Sequence, residues 1–108
     1  MDQPAEPDPL ATFLVERYWP GIDLATLRPV LGRLDAAAQA MRAEGAPVEH
    51  VGSILMPVDE VVFSLIKAGD ESLVREVNVR AELPVDRISA AVTLAAVPVP
   101  DPTGGLTS

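Results

Sequence analysis

Along this 108-residue chain, hydrophobic and polar positions alternate with a period of two in some stretches and recur every three or four residues in others. The strongest alternation runs from Glu60 to Lys67, EVVFSLIK, where both sets of side chains are largely apolar. Val61, Phe63 and Leu65 point one way and Val62, Ser64 and Ile66 the other. A strand apolar on both sides has to be covered on both, which predicts a central position in a sheet, with helices over one face and a second subunit over the other. Ala11 to Trp19, ATFLVERYW, reads as another strand, with Phe13 and Val15 on one face and Leu14, Glu16 and Tyr18 on the opposite one; Pro20 and Gly21 end it. Val48 to Met56 reads as a third, with His50, Gly52, Ile54 and Met56 on one side and Val51, Ser53 and Leu55 on the other. Pro57 to Asp59 turn it back into the Glu60 to Lys67 strand, without the Asn-Gly dipeptide that would fix the register. Ile88 to Leu94 supplies the last strand.

Leu24, Leu27, Leu31, Leu34, Ala38 and Met41 form one apolar stripe at helical spacing. Pro29 bears on where that helix begins. With Thr26 as N-cap, the missing N–H of Pro29 falls among first-turn donors that lack partners anyway, whereas a start at Asp23 puts proline in the interior. The prediction is therefore a helix from Leu27 to Glu44, stopped by Gly45 and Pro47. Asp70 predicts the N-cap of a second helix with Glu71 in its first turn, Leu73, Val74, Val77 and Ala81 on its apolar face, and Glu76 and Arg80 paired four apart. Pro84 closes it.

Strand, helix, strand, strand, helix, strand is the split βαβ order of the ferredoxin-like fold: α+β, with a four-stranded antiparallel sheet and two helices on one face. Right-handed crossovers put the first and third strands side by side at the centre, and the same reasoning expects those two to run parallel. The helix-free face is apolar along its middle, and packing two such faces together yields a dimeric α+β barrel. The domain is expected over residues 11–94, between a flexible proline-rich arm at 1–10 and a disordered Pro/Gly-rich tail at 95–108.

Composition then narrows the function classes. The absence of cysteine removes disulfides, thiolate nucleophiles and thiolate metal sites, and fits a reducing compartment. A formal net charge of −8 argues against nucleic acid as a partner, because neutralising phosphates needs a basic face. The N-terminus lacks a positive flank followed by an apolar core, and no apolar run is long enough to span a bilayer, so a cytoplasmic protein without a membrane partner is expected. Gly21, Gly45 and Gly69 each stand alone at turns and form no phosphate cradle. No histidine–acid pair stands at a spacing recognisable for a nucleophile.

The candidate chemistry rests on few residues. Glu16 lies between Leu14 and Tyr18 on the face expected to be covered, where a carboxylate needs a partner, a metal or a proton; it is either a ligand contact or acid/base in a cavity, or an ion-pair partner of Arg87 across a dimer. His50, the sole histidine, is either a metal ligand or proton carrier, or a solvated residue at a strand start beside Glu49. Ser64 and Ser53 are either ligand contacts or locally satisfied hydroxyls. Asn78, at the border of the second helix's stripe, either reaches a bound molecule or makes a structural hydrogen bond. Tyr18 and Trp19 either line a cavity mouth or pack against helix ends.

Three blocks in order, FLVERYWPG (Phe13 to Gly21), HVGSILMPVDEVVFSLIKA (His50 to Ala68) and VREVNVRAELPVDRI (Val74 to Ile88), resemble a family of small bacterial proteins common in actinomycetes; the likeness covers roughly residues 12 to 94. The family is described as nickel-binding on a ferredoxin-like, dimeric-barrel fold. This chain departs from the family pattern at Ser64, where cysteine is frequent, and at Gly52, where many members have histidine. The resemblance implies nickel as the bound metal. The leading expectation is thus a small non-catalytic homodimer that takes a metal ion, nickel by resemblance, or a small ligand in its sheet-face cavity, with Glu16 and His50 as metal donors and Glu16, Tyr18, Ser64 and Asn78 as ligand contacts. One alternative is an enzyme without an organic cofactor, using Glu16 as acid/base and Tyr18 or Asn78 to orient substrate. Another is association with a partner protein through the open sheet.

Overall fold

The computed structural model describes residues 10–94, so the expected tail and all of the expected arm except Leu10 lie outside the described residues. The alternating stretches form β1 (Ala11–Tyr18), β2 (Val48–Met56), β3 (Val61–Ala68) and β4 (Arg87–Ala91), and the stretches of helical spacing form α1 (Leu24–Ala43) and α2 (Glu71–Arg80). In the sheet the order is β2-β3-β1-β4, with every neighbouring pair antiparallel, which is the ferredoxin-like arrangement. The expectation that β1 and β3 run parallel is corrected here. Each crossover, β1–α1–β2 and β3–α2–β4, joins two parallel strands one place apart, and the strand between them runs against both.

The central strands keep strict alternation. On β1, Phe13, Val15 and Arg17 are buried beneath the helices, and on β3 Val62, Ser64, Ile66 and Ala68 are. Leu14, Glu16, Val61, Phe63, Leu65 and Lys67 occupy the other face and are half-buried. β2 does not keep the alternation. Its pairing steps from His50 opposite Ile66 directly to Gly52 opposite Leu65, which leaves Val51 as an extra residue in a bulge. Val48 and His50 therefore face the helices before the bulge, Ser53 and Leu55 face them after it, and Gly52, Ile54 and Met56 turn to the helix-free face. Grouping His50 with Gly52, Ile54 and Met56, as uninterrupted alternation requires, fails at this one residue. β4 is shorter than expected: Ala91 already pairs with Thr12 near the start of β1, so Val92 and Leu94 have little strand left to pair with and stay exposed.

α1 begins at Leu24, one turn earlier than predicted, because Asp23 caps it by accepting the Thr26 N–H at 2.7 Å. Pro29 consequently lies inside the helix. Ala25, whose carbonyl loses its donor to proline, is exposed, so water can replace the missing N–H. The buried stripe is Leu27, Val30, Leu34, Ala38 and Met41; of the residues expected in it, Leu31 is half-buried and Leu24 exposed, and Val30 is buried instead. Both helices end in the same 6→1, 5→2 hydrogen-bond pattern. Ala46 and Gly45 N–H donate to the Met41 and Arg42 carbonyls after α1, and Leu83 and Glu82 N–H donate to Asn78 and Val79 after α2. Gly45 supplies the left-handed residue in the first case, whereas in the second Glu82 adopts it, at φ 59°. Trp19 closes the end of the core by packing against both of its clusters, Phe13/Val15/Leu34/Met41 on one side and Ile22/Leu27/Val62 on the other.

Candidate functional site

Strict alternation on β1 carries Arg17 onto the same face as Phe13 and Val15, so its guanidinium enters the core with no accessible surface. A buried cation needs acceptors. Nη1 donates to Asn78 Oδ1 at 2.8 Å and to the Pro84 carbonyl at 2.9 Å, and Nη2 donates to Ser64 Oγ at 3.0 Å. Asn78 in turn donates from Nδ2 to the Val74 carbonyl, 2.8 Å away, so α2 holds its amide in place. All of these acceptors are neutral. Burial pushes the guanidinium down to about 10 while the Asp86 carboxylate pulls it back up, so it stays a cation at neutral pH. Arg17 Nε is buried without a hydrogen-bond partner, the one such side-chain atom among the described residues.

From Ser64 the hydrogen bonds continue to the protein surface. Ser64 Oγ lies 2.7 Å from Ser53 Oγ, Ser53 Oγ lies 2.8 Å from His50 Nε2, and His50 Nδ1 lies 2.6 Å from Asp35 Oδ1 on α1. The bulge at Val51 is what aims His50 and Ser53 together at Ser64. An ionised Asp35 only accepts, so Nδ1 carries a proton. With a neutral imidazole, Nε2 is then an acceptor, and a single direction satisfies the whole chain: Arg17 donates to Ser64, Ser64 to Ser53, and Ser53 to His50. Ser64 is fully buried and the His50 side chain is 8 % exposed, Ser53 is half-buried, and Asp35 stands 64 % exposed.

The helix-free face carries the other candidates. Glu16 is half-buried there, with Phe63 and Arg87 as its cross-strand neighbours. Arg87 is thus opposite Glu16 in the same sheet. Tyr18, more than half exposed, donates its hydroxyl to Glu60 Oε1 at 3.3 Å, and Glu60 Oε2 also accepts the Gly21 N–H at 2.7 Å, tying the end of β1 to the β2–β3 turn. At the opposite end of this face, Thr12, Glu49, Val51, Leu65, Lys67 and Thr93 line a depression.

The predicted residues therefore separate into two places. His50, Ser64 and Asn78 join Ser53 on the helix side, while Glu16 and Tyr18 lie across the sheet from them. Asn78 makes the structural hydrogen bonds, Ser64 finds partners on β1 and β2, Ser53 pairs both locally with His50 and across the strands with Ser64, and His50 is a buried, doubly engaged imidazole in place of a solvated one. Glu16 and His50, the expected metal donors, do not converge within one chain. Both imidazole nitrogens are occupied, and among the described residues no three His, Cys, Asp or Glu side chains gather as a group able to hold a metal ion. The donors present within one chain do not fit nickel, which suits imidazole or thiolate ligands. Two members of the helix-side chain were not anticipated. Arg17 had a signal, its parity with Phe13 and Val15. Asp35 had none, because it sits on the polar side of α1 and meets His50 only through the tertiary fold.

No family model matches the sequence, and no curated protein matches it. Among solved structures, the crystal structure of a protein from Streptomyces coelicolor A3(2) is similar, with a TM-score of 0.66 and 22 % sequence identity over 80 % of this chain and all of that one. At that identity the likeness concerns architecture: the two chains share the α+β fold, with four antiparallel strands and two helices on one face.

Proposed function

We propose that this protein is a small binding protein that works as a homodimer, two helix-free sheet faces meeting as an α+β barrel around a chamber for a small organic ligand. The observation that carries the reading is the uncovered apolar surface of that face. Val51, Ile54 and Met56 are 53 %, 56 % and 40 % exposed, and half-buried Leu14, Val61, Phe63 and Leu65 lie beside them. A contiguous apolar surface of this kind favours a partner over water, and a second copy of the same face buries it symmetrically. Glu16 stands among these residues and supplies the polar anchor that orients a ligand in a mostly apolar chamber. Sedimentation equilibrium tests the reading. The wild type is expected to run as a dimer, and Phe63→Glu, which puts a charge at the centre of the contact, to weaken association at least ~30-fold, the loss typical of an interface hot spot. A folded wild type that stays monomeric at high micromolar concentration overturns it.

A further inference from the structure

On the helix side of the sheet, away from the proposed dimer face, Asp35, His50 and Ser53 stand in the order acid, imidazole, hydroxyl, at 2.6 and 2.8 Å. We propose that Ser53 is an activated nucleophile that takes an acyl group from a small ester, with His50 as its base and Asp35 as the residue that positions the imidazole. Hydroxyl nucleophiles are weak unless a base lies within hydrogen-bond reach and is itself held by a third group, and this arrangement meets both conditions. Asp35 holds the proton on Nδ1, which leaves Nε2 to accept the proton of Ser53.

A second observation acts on the same oxygen from the other side. Ser53 Oγ also lies 2.7 Å from Ser64 Oγ, which accepts from the fully buried Arg17 guanidinium. A cation that touches only neutral acceptors in a low-dielectric interior stabilises negative charge developing one hydroxyl away. Ser53 is thus placed between a base that removes its proton and a donor, backed by a cation, that stabilises the oxygen left behind. Ser53 is also the half-buried serine of the two, on the edge strand β2, whereas Ser64 is fully buried.

In the step that follows, Ser53 Oγ bonds to the carbonyl carbon as its proton passes to His50 Nε2. The ester C–O bond breaks, and the leaving alkoxide takes that proton to depart as the alcohol. Water then attacks the acyl carbon, gives a proton to His50 and releases the carboxylic acid, and the His50 proton returns to Ser53 as the Oγ–C bond breaks. The charged groups around His50 are Asp35 from α1 and, through the two hydroxyls, Arg17 from β1; Arg42 of α1 lies further along β2, donating to the Val48 carbonyl.

The test treats the full chain with p-nitrophenyl acetate and with phenylmethanesulfonyl fluoride, followed by intact mass and peptide mapping. One adduct per chain is expected on Ser53. Ser53→Ala is expected to carry no adduct and His50→Gln to slow labelling ~100-fold or more. Asp35 is largely exposed, so Asp35→Asn is expected to fold normally and to slow labelling at least ~10-fold while altering the pH profile. Absence of an adduct on folded wild type, an adduct on another residue, or labelling of Ser53 at the same rate in Asp35→Asn overturns the proposal. None of these outcomes depends on whether the chain is a dimer.

Discussion

Arg17 decides more of the interior than any other side chain. Its hydrogen bonds reach α2, the Pro84 carbonyl and β3, and Asn78 Oδ1 and the Pro84 carbonyl lose their donor when it is removed, whereas Ser64 Oγ keeps Ser53 as a partner. Arg17→Ala is expected to cost about 3 kcal/mol in urea unfolding, because it strands buried Asn78 Oδ1 and opens a void. Arg17→Met fills the space without burying a charge and is expected to cost clearly less; equal losses for the two would show that the hydrogen bonds carry little. At this scale the sequence was partly legible. Phe13, Val15 and Arg17 share parity, so the burial of Arg17 follows from period-two alternation alone. Asn78 stood out at the border of its stripe, and Ser64 stood out in an otherwise apolar run. Asp35 did not, since its partner is fifteen positions away and the contact depends on where β2 bulges.

Both helices are started by carboxylates, and this couples the elements to pH. The Asp23 carboxylate is held below its ordinary range chiefly by the Thr26 backbone N–H, and that of Asp70 by the Ser72 hydroxyl and then the Leu73 N–H. Glu44 is lowered in the same way by its hydrogen bond from Arg80, which joins the end of α1 to α2. A carboxylate depressed in the folded state stabilises the fold fully above its unfolded value, 3.8 for the two aspartates, and loses that contribution as pH falls through the lower folded value. The melting temperature is therefore expected to hold steady from pH 7 to about 5 and to fall below about 4. In Asp70→Asn the acid-side fall is expected to be shallower; melts that superimpose on those of the wild type would show that the cap does not titrate with folding. α1 starts a turn before the position that Pro29 favours because the Asp23 cap outweighs proline's cost where Ala25, whose carbonyl loses its donor, is exposed to water.

For the whole molecule, the balance lies between an apolar face that favours association and a formal net charge of −8 on each chain that opposes it. Screening weakens the repulsion and leaves the apolar contact intact. Dimerisation is accordingly expected to tighten when sodium chloride rises from about 20 mM to 500 mM, as read by sedimentation equilibrium, a range over which the Debye length falls from roughly 20 Å to below 5 Å. Association that weakens with salt would point instead to charge pairs as the source of the contact.

Hydrophobic period alone determined the six elements, their order, the fold class and the apolar character of both faces of β3. Such patterns are local: each is set by side chains a few residues apart on one element. The path from Asp35 through His50, Ser53 and Ser64 to Arg17 was decided only in the tertiary structure. It needs three strands and a helix brought together and one extra residue at Val51 that reverses parity halfway along β2. A bulge is a property of the pairing between strands, so nothing in either strand read separately reveals it.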